Sequence, residues 1–164
     1  MSAIPQTSGA IAGALGTLAL SALEPFRDAL LGRPPVYAVT PLLTRAARRA
    51  WGIRLAPPSA QRWGLATRWV YGPTIGALYA ALRPRLPASV RLGGLALGAA
   101  VGLFEAVSFP LLRVTPPRRQ WSRGEKLALG LQVLLFGVVT EAALSRQRHA
   151  PRGPGPRPMG PADA

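Results

Sequence analysis

The chain has no cysteine and one histidine, His149. Disulfides, thiolate metal sites and Cys nucleophiles are therefore excluded. A lone histidine in a proline-rich tail is too little for a metal site of ordinary ligand count. The usual nucleophile-and-base sets are missing for the same reason. No GxSxG, HExxH, Walker loop or dinucleotide fingerprint occurs in a fitting context. Gly93-Gly94 belongs to an apolar stretch rather than a phosphate loop. The expectation is no enzyme activity, no cofactor and no metal. Lysine occurs once, at Lys126, and Asp plus Glu total only 6 of 164 residues. No Lys or Arg precedes Arg27, so the first apolar segment lacks the positive start of a signal peptide and is expected to be retained.

What is abundant is arginine, giving a formal net charge of +14. Arg, Ala, Gly and Pro enrichment with almost no Lys fits a GC-rich genome, so the choice of Arg over Lys carries no functional weight. Excess positive charge suits nucleic acid or the anionic lipid headgroups beside a membrane span. Location separates the two. The arginines lie between and after apolar segments, which favours a lipid bilayer as the partner and no nucleic acid. A soluble basic nucleic-acid-binding protein is the third reading, behind a membrane component and a transporter.

Four apolar segments run at about 8–24, 63–82, 92–113 and 126–144, each with small residues at four-residue spacing and one charge. Their charges are Glu24, Arg68, Glu105 and Glu141. Positions eleven apart on a helix nearly eclipse, which relates Gly94 to Glu105 and Gly130 to Glu141. The glycines Gly9, Gly13, Gly72, Gly76, Gly94, Gly98, Gly102, Gly130 and Gly137 are expected to let helices approach closely in lipid. A charge inside such a segment should face protein or water. The pattern predicts an all-α fold: a four-helix transmembrane bundle over 1–148, with a disordered Pro/Gly-rich tail at 149–164.

Segment one has an apolar core of only about 15 residues against the ~20 that a span needs, so Pro5 to Ser8 are expected to lie in the interface. Pro25 is expected to kink or restart that helix. Residues 25–62 read as a connection that holds an interfacial amphipathic helix. Thr40 and Pro41 look like its N-cap and first position. Leu42, Leu43, Ala46, Ala47, Ala50 and Trp51 form its apolar half, with Arg45, Arg48 and Arg49 opposite, and Pro57-Pro58 ends it. An amphipathic helix packed on a soluble core is the alternative. Trp63, Trp69 and Trp121 are read as headgroup-level anchors. Segment three, Leu92 to Leu112, looks like the clearest span, with Gly94, Gly98 and Gly102 in one stripe. Ser122 and Glu125 form a capping box opening segment four.

Rise per residue places the charges in depth. Measured from the membrane side opposite the N-terminus, Arg68 lies about 7 Å and Glu105 roughly 10 Å inside, with Glu24 at the edge. Arg68 can therefore reach Glu24, Glu105 or both. Glu141 lies roughly 22 Å away, near the level of Arg83 and Arg85. These charges read either as ion pairs that fix register or as a carboxylate serving proton or cation passage. Which effect wins on Glu105, burial raising its pKa or an arginine lowering it, is open at this stage. The far side collects twelve basic residues in its loops against seven on the N-terminal side, which puts the far side in the cytoplasm.

Trp63 with Trp69, Tyr71-Gly72, Gly76 and Leu78-Tyr79-Ala80 are similar to segment two of the YagU-like small bacterial inner-membrane proteins. Gly98, Gly102, Pro110, Leu111 and Thr115-Pro116-Pro117 continue the resemblance, and Phe136-Gly137 with Thr140-Glu141 close it, over about 8–146. Members of that family often carry a histidine before the aromatic-glycine pair of segment four. Gln132 and Val133 stand there in this chain. The resemblance implies a multi-pass inner-membrane protein and no established chemistry. A narrow bundle of this kind would need several copies to form a pore, so a homo-oligomer is a further expectation.

Overall fold

A computed structural model describes residues 6–87 and 92–149, all helical or irregular with no strand among them. The long helices are α1 (Gln6–Leu31), α2 (Val39–Trp51), α3 (Pro57–Leu82), α4 (Leu95–Leu111) and α5 (Arg123–His149). Short 3-10 turns follow α3 at Arg83–Arg85 and precede α5 at Arg118–Gln120. By length and composition, two helices can cross a membrane: Gln6–Leu31 and Arg123–Gln147.

The buried face of α1 is built from Gly9, Ala12, Gly13, Gly16 and Thr17, with Arg27 farther along. It packs antiparallel on α3. A Cβ at Gly13 would collide with the backbone of Gly72, and one at Gly76 with Gly9 and Gly13. On its other flank α1 meets α5, with Gly16 lying under Phe136 and Thr140. Helix α4 completes the layer against α5, where Gly98 approaches the Val133 carbonyl and Gly137 faces Gly94 and Gly98. The helices thus sit side by side in the order α3, α1, α5, α4, alternating in direction. Small residues bring the backbones together, while large apolar residues such as Phe26, Leu30, Val70, Leu103 and Leu131 point outward, each at least 65% exposed.

Several expectations need correction. Pro25 does not restart α1: the helix runs through it to Leu31. The lost N–H is tolerated because the downstream turn is docked, with Arg27 buried and bonded to Glu24 and Asp28 and Leu31 against Gly124. Thr40 is not the cap of α2. The helix starts at Val39 behind Ala38 without a side-chain cap, and the Thr40 carbonyl accepts the Thr44 hydroxyl at 2.9 Å. Pro57 and Pro58 open α3 rather than merely ending α2, since a missing N–H is harmless in a first turn. Gly94 lies before α4, not within it: Gly93 and Gly94 have φ of +61° and +93°, backbone that only glycine adopts cheaply. Segment three is consequently the shortest of the four, 17 residues or about 25 Å. Gly130 packs on nothing within 4 Å. Helix α5 includes His149, and the rest of the expected disordered tail lies outside the described residues.

Candidate functional site

The carboxylates sort into two levels. Toward the C-terminal end of α3, Arg83 bonds both oxygens of Glu141, its Nε at 3.1 and 2.8 Å. The Tyr79 hydroxyl donates to the same carboxylate at 2.8 Å, and Ser145 joins the cluster through Arg83 Nη2 at 3.1 Å. Glu141 and Arg83 are 8% and 6% exposed at the side chain. This cluster ties α3 to α5 without leaving a carboxylate oxygen free.

At the opposite level Arg68 grips Glu24 through two nitrogens and reaches the Ser21 hydroxyl at 3.3 Å. Arg27 adds a longer contact to Glu24 at 3.4 Å and a close one to Asp28 at 2.6 Å. Arg68 therefore pairs with Glu24 and not with Glu105. Glu105 sits on α4 across a cavity of about 350 Å³, which is bounded by all five long helices. The cavity wall is mainly apolar: Leu20 from α1, Leu42, Leu43 and Ala46 from α2, Val101 and Phe109 from α4, Leu129 and Phe136 from α5. Its polar groups are the Glu24 cluster, Thr17, Thr67, Tyr37, Tyr71, Gln132 and Glu105. Tyr71 lies in electrostatic reach of Glu105, yet its buried hydroxyl makes no formed hydrogen bond, and neither does that of Tyr37.

Helix α2 closes this cavity. Its apolar half, expected to lie on lipid, supplies Leu42, Leu43 and Ala46 to the wall and buries Ala47. Arg45, read as a headgroup contact, instead donates to the carbonyls of Val36 and Val114 at 2.9 and 3.2 Å. Arg48, Arg49 and Trp51 remain exposed. Among the tryptophans, Trp51, Trp63 and Trp69 are exposed, but Trp121 is not an anchor. It is 3% exposed, stacks 5.4 Å from Tyr37 and donates to the Pro116 carbonyl at 2.9 Å.

The roof of the site hangs on Glu125. Ser122 and Glu125 exchange hydrogen bonds at 2.8 and 3.0 Å, the reciprocal capping box that the spacing predicts. Glu125 also accepts the Val36 N–H at 3.3 Å and pairs with Arg33 at 3.5 Å. These bonds hold Tyr37 over the cavity. Burial pushes the Tyr37 phenol up to about 12, against a smaller opposing pull from Arg27. It therefore stays a neutral hydroxyl through the physiological range.

No protein-family model, curated protein or solved structure matches this chain. The site must be read from its own chemistry. Among the described residues no three metal-ligating side chains cluster. Sequence reasoning singled out Glu24, Arg68, Glu105 and Glu141, and the structure divides them: Glu24 with Arg68, Glu141 with Arg83, and Glu105 facing the cavity. It passed over Tyr37 and counted Arg27 only among the loop charges, and it read Tyr71 with Trp63 and Trp69 as a headgroup-belt aromatic, whereas Tyr71 lines the cavity. Arg27 had a visible signal, since it falls three residues after Glu24 on one helix. The tyrosines had none, because only tertiary packing aims them inward.

Proposed function

We propose that this chain is a non-enzymatic, multi-pass protein of the bacterial inner membrane, with α1, α3, α4 and α5 as four spans and α2 as a short helix at the cytoplasmic interface. The observation that carries the reading is an inverted distribution of side-chain size. Gly, Ala and Thr fill the helix contacts, while 23 large apolar side chains are exposed among the described residues, most of them on α1, α3, α4 and α5. In water that surface would cost far more than a monomer tolerates. In lipid it costs nothing, and close backbone approach becomes the main source of helix association. Helices α1 and α3, 26 residues each, are about 39 Å long, enough for a hydrocarbon core of about 30 Å. Arg48, Arg49 and the loop arginines suit anionic headgroups.

A carbonate wash of isolated membranes tests this. The full chain is expected to stay in the pellet and to need detergent for release. A C-terminal topology reporter is expected to read the same side as an N-terminal one, since four crossings return the chain. Recovery of a detergent-free monomer from the aqueous fraction would overturn the proposal.

A second reading, a small oligomeric transporter or proton-linked channel, now rests on one residue. Glu141 is consumed by Arg83 and Tyr79, whereas Glu105 has no cation beside it among the ion pairs of the described residues. A liposome proton-flux assay with Glu105→Gln and Glu141→Gln separates the two carboxylates. This reading expects Glu105→Gln alone to lower the flux, and equal leak in every sample removes it.

A further inference from the structure

The cavity and its Glu105 carboxylate call for a partner that the chain does not supply. Among the described residues, Glu105 is the one carboxylate without an arginine or lysine within 4.0 Å. The arginines nearest in the wall are already spent: Arg68 on Glu24, and Arg27 on Glu24 and Asp28. An anionic ligand would find no free cation there. On the same cavity the Tyr71 hydroxyl lies toward Glu105, and the buried Tyr37 hydroxyl, on a residue 6% exposed, has no hydrogen-bond partner. Buried polar groups in folded proteins are normally satisfied, so the Tyr37 hydroxyl is available to whatever enters, and the Tyr71 oxygen can still accept beside Glu105. Apart from Thr17, Thr67 and Gln132, the rest of the wall is aliphatic and aromatic.

We propose that this cavity is a binding site for a compact lipophilic amine, whose protonated nitrogen pairs with Glu105 and donates to the Tyr71 or Tyr37 oxygen while its apolar body lies among Leu42, Val101 and Phe136. Size supports this class. An apolar cavity of about 150 Å³ accommodates a benzene, so about 350 Å³ takes a bicyclic ring with a short amine arm. Small-molecule sites have this composition, mostly apolar with a few convergent polar groups. A fixed carboxylate in such a wall makes charge the discriminator. A neutral isostere of the same shape leaves the carboxylate unpaired, and specificity of this origin is large. Helix α2 gives the site its closure, because Leu42, Leu43 and Ala46 would cover the bound molecule.

The test is a binding titration on the purified full chain in nanodiscs, with empty nanodiscs as the partition blank. The probes are 2-naphthylmethylamine and the neutral 2-naphthylmethanol. The amine is expected to bind at least tenfold tighter in the wild type. Glu105→Gln should bring the amine down to the level of the alcohol and leave alcohol affinity unchanged, which also shows that the cavity persists. Leu42→Trp, filling the space from α2, should abolish both. Equal affinity for the two probes in the wild type, an unchanged preference in Glu105→Gln, or no binding above the blank overturns the proposal. If Glu105→Gln does not fold, the wild-type ratio decides alone. Because the readout is binding and not passage, failure here leaves the bilayer placement intact, and a silent proton-flux assay leaves this site intact.

Discussion

Arg83, at the end of α3, bonds both carboxylate oxygens of Glu141 on α5, and Tyr79 donates to that carboxylate from one turn before the arginine. The pair lies fifty-eight residues apart in sequence and closes the bundle at one end, as Glu24 and Arg68 do at the other. The two clamps differ in burial, and the difference sets their energetics.

Removing one member of the Arg83–Glu141 pair leaves a buried charge uncompensated, which typically costs 3–5 kcal/mol. Glu141→Leu is expected to lose about that much in a detergent unfolding titration, and Arg83→Leu a similar amount. The double variant should recover most of the loss. Additive losses would show that the two groups do not depend on each other.

Glu105→Leu is expected to behave differently. With Arg68 held by Glu24, no arginine is stranded when Glu105 goes, and the new side chain enters an apolar wall. The change in detergent stability should stay within about 1 kcal/mol. A loss as large as that of Glu141→Leu would place a cation at Glu105 in solution.

Glycines on α5 should divide sharply. A Cβ at Gly137 would run into the facing backbone of α4, whereas one at Gly130 meets nothing. Gly130→Ala is therefore expected to stabilise by roughly 0.5–1 kcal/mol through helix propensity alone. Gly137→Val should separate α4 from α5 and lower the unfolding midpoint. The two variants, measured in the same detergent, are expected to move in opposite directions.

Alkaline pH tests the burial of Tyr37. Its phenol is raised by burial to about 12, so the folded state holds a proton that the unfolded state gives up near 10. That contribution is fully present below pH 10 and is lost as pH rises through about 12. Tyr37→Phe has no such proton. The wild type should therefore lose stability relative to Tyr37→Phe over this window, read as the difference between their melting curves. Parallel curves would mean that Tyr37 is exposed to water.

How far the sequence reaches is clear from particular residues. The capping box of Ser122 and Glu125 was legible because both partners lie within one turn. The end of α2 at the left-handed Gly52 was not foreseen, since the stop was expected at Pro57-Pro58, although glycine is the ordinary residue there. The level of Glu141 beside Arg83 followed from rise per residue. Rise fixes depth but not azimuth, so it left Arg68 with two equally reachable carboxylates, and only the packing of α1 against α3 chose Glu24. Trp121 misled for a related reason: an aromatic in a basic loop looks like an anchor until the loop folds back on Tyr37. Pro25 misled because local rules weigh the lost N–H and not the docking of Arg27 that outweighs it.

By itself the sequence determined that the chain is helical, that its helices meet through small residues, and that it has no cysteine chemistry, since these follow from composition and from spacing along one helix. Tertiary structure decided which carboxylates are neutralised, that α2 covers a cavity, and that Glu105 remains without a cation. Those outcomes depend on the rotation and order of helices around one another, a relation between distant residues that no local spacing encodes.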